Sequence, residues 1–211
     1  WVQRAVIVMR AKQVKFNVTY LERGQKPDWF LAISPHGKVP VLKADDHALY
    51  ESNAIAEFLD EVVEPRLHPE NPVKRARHRA WTDFVPDFSL SLGKYMYAKT
   101  REKQVGALEK ASATLAKLEN TIVENRENGG PYFSGNQLCL VDAAYAPFLM
   151  RFQMIEDLVQ DKMLDGFPNM KAWSAALLAH DTVKHSVVED FGDVYNANLE
   201  RREAYAATLI A

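Results

Sequence analysis

A chain of 211 residues has room for one large domain or two small ones. With 47% hydrophobic and 26% charged residues it has the balance of a globular protein that buries a sizeable core, which excludes a disordered chain. A formal charge of −2 provides no global field for nucleic acid or an anionic membrane, and one cysteine, Cys139, excludes an internal disulfide. That lone cysteine suits a reducing cytoplasm. No apolar run reaches the length of about 18 residues that a membrane helix needs. Residues 1–13 carry Arg4, Arg10 and Lys12 with no small-residue cleavage site after them, so no signal peptide is expected.

Residues 1–13 have helical periodicity, with Val2, Ala5, Val6 and Met9 on one face. No capping residue precedes them, so the helix is expected to begin ahead of Trp1. Residues 16–21 alternate apolar and polar and predict a strand. Pro27-Asp28 opens a short helical turn carrying Trp29, Phe30 and Ile33. Residues 39–43 and 48–50 predict two short strands around Asp45-Asp46, a hairpin. Ser52 is expected to cap a helix running to about residue 63. This order fits the later part of a βαβαββα unit. A parallel crossover helix follows a strand, so the natural completion is a first strand that the given chain does not contain.

Residues 64–70, with Pro65 and Pro69, read as a linker between a unit at 1–63 and one at 71–211. The second unit is all helical. Asn71-Pro72 starts a helix to about residue 100 that Pro86 should kink. Residues 103–125 predict a second long helix. Residues 141–156 predict an apolar helix at the centre of the unit. Residues 169–179 and 193–209 complete it.

Four stretches together resemble the cytosolic glutathione S-transferase family: KPDWFLAISPHGKVPVL (26–42), LYESNAIAEFLDE (49–61), LCLVDAAYAP (138–147) and FPNMKAW (167–173). VQRA at the start, followed by KPDWF, is most similar to its bacterial omega-like, cysteine- or serine-dependent members. The resemblance implies an α/β thioredoxin-like N-terminal domain joined to an all-α C-terminal domain. It also implies a cytoplasmic, homodimeric detoxifying enzyme with glutathione as co-substrate and no metal. Its activity would be that of a transferase or a thiol transferase of the dehydroascorbate reductase type, acting on a small electrophile or a mixed disulfide. The alternative is a non-catalytic binding or regulatory protein on the same fold, since fold does not fix function.

The residues carry two kinds of reading. An X-Pro bond such as Val39-Pro40 is ordinarily trans, and an edge-strand proline would explain it. The resemblance implies instead a cis bond that offers Val39's N–H and C=O to the cysteinyl backbone of glutathione. Ser52 as a plain helix cap is the bland reading. The resemblance adds that Ser52 and the N–H groups behind it hold the γ-glutamyl carboxylate, while Glu51 accepts from the ammonium. Lys26 is the implied partner of the glycyl carboxylate, with Lys38 competing. Phe84, Phe88, Tyr95 and Tyr97, with Trp1 beside them, are expected to wall a second-substrate pocket, although about half of that stripe should be core.

Cys139 stands where the family places Ser or Thr three residues before Asp142. Half of a capping box should therefore be lost, at up to about 1 kcal/mol. Cys139 itself reads as structural. The catalytic residue is expected just ahead of Trp1: serine would donate to the glutathione thiolate, and cysteine would form a mixed disulfide. The basic run Lys74, Arg75, Arg77, His78 and Arg79 lacks interleaved aromatics and reads as a solvated helix face. The six histidines show no metal-ligand spacing.

Overall fold

In the computed structural model, which describes residues 1–22 and 24–210, ten α-helices, two 3₁₀ turns and one two-stranded sheet are present among the described residues. Helix α1 (Val2–Ala11) is buried on almost every face, from Gln3 to Met9. It lies between α3 (Ser52–Val62) and α7 (Leu140–Val159), so its apolar residues serve two neighbours at once. Helix α2 (Asp28–Ile33) starts after Pro27, whose missing N–H costs nothing at that place. Strands β1 (Val41–Ala44) and β2 (His47–Tyr50) form an antiparallel hairpin, with Val41 opposite Tyr50 and Ala44 opposite His47. Asp45 takes φ +51° in the turn between them.

Residues 16–21 differ from expectation. They contain no strand. Alternating residues make a strand only beside a hydrogen-bonded neighbour, and the described sheet consists of β1 and β2 alone. Val14 and Phe16 still pack on the core, and Arg10 lies 5.9 Å over the Phe16 ring.

The rest is helical. The expected kinked helix is two helices, α4 (Pro72–Asp83) and α5 (Val85–Met96), divided at Phe84. Pro86 sits in the first turn of α5, where it cannot donate back to the preceding turn. Asn71 caps α4 through its side chain, accepting from Val73 N at 2.9 Å and Lys74 N at 3.1 Å. Helix α6 (Arg101–Asn125) packs on α5, and α8 (Pro168–Ala179) packs on α6 and α7. A short helix α9 (Asp181–Lys184), absent from the sequence reading, reaches α1. The expected last helix at 193–209 ends early. Helix α10 (Phe191–Arg201) stops before Glu203 at φ +53°, and a 3₁₀ turn, Tyr205–Leu209, follows.

Helix α7 is the hub. Thirteen of its residues are buried, in contact with α1, α4, α5 and α8. Its N-terminus is fixed by Asp142, which is fully buried. The carboxylate accepts from Cys139 N at 2.8 Å, Phe133 N at 3.0 Å and the Trp173 indole at 2.6 Å. The Cys139 sulfur occupies the place of the missing hydroxyl and faces the Asp142 N–H. The capping box is thus complete in geometry, with sulfur as its weak member, rather than half lost.

The linker is pinned from beneath. Lys12, at the end of α1, pairs with Asp60 of α3 at 2.9 Å, both side chains being closed to water. Its ammonium also donates to Val63 O at 2.5 Å and Pro65 O at 2.8 Å. Asp60 accepts from Leu67 N at 2.6 Å and His68 N at 3.2 Å.

Candidate functional site

A cleft of about 390 Å³ opens where the hairpin and the first turn of α3 face α1 and the α4–α5 junction. Val39, Pro40, Glu51 and Ser52 all line it, so the structure brings together four residues that the sequence singled out. The Val39-Pro40 bond is cis, as the resemblance implied. Val39 is half exposed, and its N–H and C=O have no partner among the described residues. Ser34, buried at the base of the preceding turn, holds that segment: its hydroxyl donates to Lys38 O at 2.9 Å and accepts from Lys38 N at 3.0 Å.

Glu51, not Ser52, is the N-cap of α3, and no side chain caps that helix. Ser52 is the first helical residue and is 6% exposed. Glu51 takes φ +66°, a left-handed conformation that a glutamate adopts at a cost of order 1–3 kcal/mol, and residues held this way cluster at ligand sites. The effect is to leave the first N–H groups of an 11-residue helix uncapped beside the cleft.

Lys26 does not line the cleft; Lys38 does. Lys26 lies behind it, its ammonium 3.4 Å from where a Cβ on Gly37 would stand. Gly37 has φ +56°. The positive φ is what makes glycine the residue this turn favours.

The aromatic wall is a correction. None of Phe84, Phe88, Tyr95 and Tyr97 lines the cleft. Phe88 and Tyr95 are fully buried. Phe88 packs edge-on against Tyr145 at 4.8 Å, and the Tyr95 hydroxyl donates to Asp161 at 2.7 Å. Phe84 packs against Trp81 at 5.6 Å, and Tyr97 is covered by the Arg202 guanidinium at 4.4 Å. The helix division at Phe84 turns the stripe inward and leaves Thr82, Asp83 and Pro86 at the cleft instead.

Of the residues expected to wall a second-substrate pocket, Trp1 does line the cleft, and several other lining residues escaped the sequence reading. His36 and Tyr50 stack edge-on at 5.8 Å on the hairpin side. Arg4 is 3% exposed; it gives Nη1 to Asn53 Oδ1 at 3.3 Å while Nε and Nη2 have no partner. Burial pulls its pKa down to about 10, so it is still a cation at neutral pH. Trp1, under its guanidinium, packs on Phe148 at 5.1 Å. A helical Arg one turn from an apolar start is an ordinary surface pattern, so nothing in the sequence marked it.

Cys139 is buried away from this cleft, and burial pushes its thiol well above the ordinary range. That agrees with a structural role. Among the described residues no three His, Cys, Asp or Glu side chains stand together as a metal set. No helix among them is long and apolar enough to cross a membrane.

Comparison with known proteins adds the following. The family model for the glutathione S-transferase N-terminal domain matches residues 1–62, and that for the C-terminal domain matches residues 70–176. The chain is similar to rat glutathione S-transferase omega-1, at 29% identity over 83% of this chain and 71% of that protein. It is similar to Arabidopsis thaliana glutathione S-transferase U16, at 30% identity over 88% and 82%. Among solved structures, a mango tau-class glutathione S-transferase superposes with a TM-score of 0.81 at 27% identity, covering 93% of this chain and 92% of that one. Rice GST1 in complex with glutathione superposes at 0.79 with 25% identity, over 94% and 91%.

Proposed function

The chain belongs to the glutathione S-transferase family, and from that membership we propose how its cleft holds glutathione and presents the sulfur for transfer. It is a glutathione-dependent transferase with a thioredoxin-like N-terminal domain and a helical C-terminal one. The residue assignment is ours.

Glutathione lies along the hairpin side of the cleft. Val39's free N–H and C=O pair antiparallel with the cysteinyl residue, a one-residue extension of the sheet. The uncapped N–H groups of α3 and the Ser52 hydroxyl hold the γ-glutamyl carboxylate, with the helix dipole adding to the attraction. Glu51 accepts from the γ-glutamyl ammonium. Lys38, backed by Lys26 across Gly37, faces the glycyl carboxylate. The sulfur then points to the Trp1 and Arg4 side, where a buried guanidinium favours its anionic form. The electrophile or mixed disulfide approaches between that side and Thr82, Asp83 and Pro86. We also propose a cytoplasmic two-fold homodimer, tested by its mass in sedimentation.

The observation that carries the assignment is the meeting of Val39's unpaired backbone with the uncapped start of α3 in one cleft. Titration of the protein and of Ser52→Ala with glutathione tests it. A hydrogen bond to a charged group is worth about 1.5–3 kcal/mol, so Ser52→Ala should weaken binding about 10- to 100-fold. Unchanged affinity in Ser52→Ala and Glu51→Ala would overturn the assignment.

A further inference from the structure

His68 lies in the linker and His78 on α4, ten positions apart, so sequence spacing gave no reason to pair them. The fold brings them together. They are 5% and 4% exposed, with ring centres 5.7 Å apart and planes tilted by 56°. Each ring has one nitrogen fixed from outside. His68 Nε2 meets Glu57 Oε1 at 2.8 Å, and Glu57 is held in turn by Arg79 at 2.7 and 3.1 Å. Burial pushes Glu57 up, but its hydrogen bonds from His68 and Arg79 outweigh this and hold it down to about 2. His68 Nε2 donates to that carboxyl, so Nδ1 is the ring nitrogen left without an outer partner. His78 Nε2 meets Ser134 Oγ at 2.7 Å.

The other nitrogen of each ring, Nδ1, is buried and has no partner. One such orphan is costly, and native structures supply few of them without a water or an ion to answer. Two orphans on adjoining rings, each with its outer nitrogen already fixed, make the pattern of histidines oriented for a metal. With nitrogen–metal bonds of about 2.0–2.1 Å and a ring radius of about 1 Å on each side, two imidazoles on one ion stand about 5–6 Å apart, as these do.

We propose that His68 and His78 bind one divalent first-row transition ion of the zinc or copper(II) type through their Nδ1 atoms, tying the linker to α4. A second cleft of about 370 Å³, lined by His68, His78, Ser134, Asn136, Gln137 and Cys139 among others, gives water room to complete the coordination. With no third His, Cys, Asp or Glu in a set among the described residues, the site is a reversible one of moderate affinity. It is independent of the glutathione assignment.

The test uses the full chain, stripped with a chelator and titrated with zinc against a chromophoric competitor. One equivalent should bind, His68→Ala and His78→Asn should each weaken it at least about tenfold, and Glu57→Gln should weaken it about 10- to 100-fold. His47→Ala, at the exposed start of β2, should leave it unchanged. Zinc should also raise the thermal midpoint of the unsubstituted protein and not that of His78→Asn. If the variants fail to fold, the copper(II) complex of the unsubstituted protein decides, since its electron paramagnetic resonance should show two imidazole nitrogens. Fewer than two nitrogens, no stoichiometric zinc, or zinc binding indifferent to both histidines would overturn the proposal and leave the rings to water.

Discussion

Lys12→Met removes the cation that pins the linker. Lys12 and Asp60 are closed to water, 2.9 Å apart, and Lys12 also holds Val63 O and Pro65 O. Methionine fills the space of the lysine stem but leaves the Asp60 carboxylate with two backbone N–H groups, those of Leu67 and His68, and no counter-charge. It also leaves two carbonyls without their donor. Removing one partner of a buried pair costs about 3–5 kcal/mol. For a chain of this size that corresponds to a fall of about 6–20 °C in the thermal midpoint. The pair itself is not the source of that figure, because desolvating both charges offsets most of their attraction. Lys12→Met with Asp60→Asn should therefore be more stable than Lys12→Met alone. Denaturant unfolding of the two single variants and the double variant measures both quantities. A single-variant cost under about 1 kcal/mol, or additive costs, would refute the reasoning, since either result means the pair is hydrated.

His78 makes stability depend on pH. Its folded value of about 4 lies below its unfolded value, so the unfolded chain takes up the proton first as pH falls. The contribution is fully present above about pH 6.5 and is lost as pH drops towards 4, by at most about 3 kcal/mol in all. The stability difference between the protein and His78→Asn should shrink by up to about 1.4 kcal/mol per pH unit across that window. A constant difference would count against a neutral buried ring. Cys139→Ser should raise stability by about 0.5–1 kcal/mol, because a hydroxyl caps better than sulfur in the same geometry; a lower thermal midpoint would sink this. Phe88→Ala should cost about 3–5 kcal/mol in denaturant unfolding, as for a core aromatic. A changed KM for the electrophile with unchanged stability would restore Phe88 to the pocket wall.

Much of the plan was legible because it is written locally. Asn71-Pro72, Pro27-Asp28 and the Asp45-Asp46 turn carry their start and turn chemistry in adjacent residues, and each appears where the pattern put it. What was illegible depends on partners distant in sequence. Residues 16–21 have the alternation of a strand, but pairing is a property of two segments, not one. Lys12 and Asp60 look like two solvated charges until α1 and α3 are laid side by side. His68 and His78 likewise acquire meaning only when the linker folds back on α4.

The aromatic stripe at 81–97 shows the same limit acting on the site. Its period fits one amphipathic face, and a face can meet a core or a cleft equally well. The choice is made at the α4–α5 junction. The helix divides at Phe84, with Pro86 in the first turn of α5, and Phe88 and Tyr95 on α5 meet Tyr145 and Phe152 of α7. The side of the cleft that faces Trp1 and Arg4 is then built from Thr82, Asp83 and Pro86, which are small or polar. An acceptor bound there meets a carboxylate and a hydroxyl rather than a row of rings. Asp83 has no hydrogen-bond or ion-pair partner among the described residues, and its charge acts on the buried Arg4, opposing the lowering that burial causes. The division of one helix thus changes the chemistry of the wall we propose for the second substrate, without altering any residue we propose to hold glutathione.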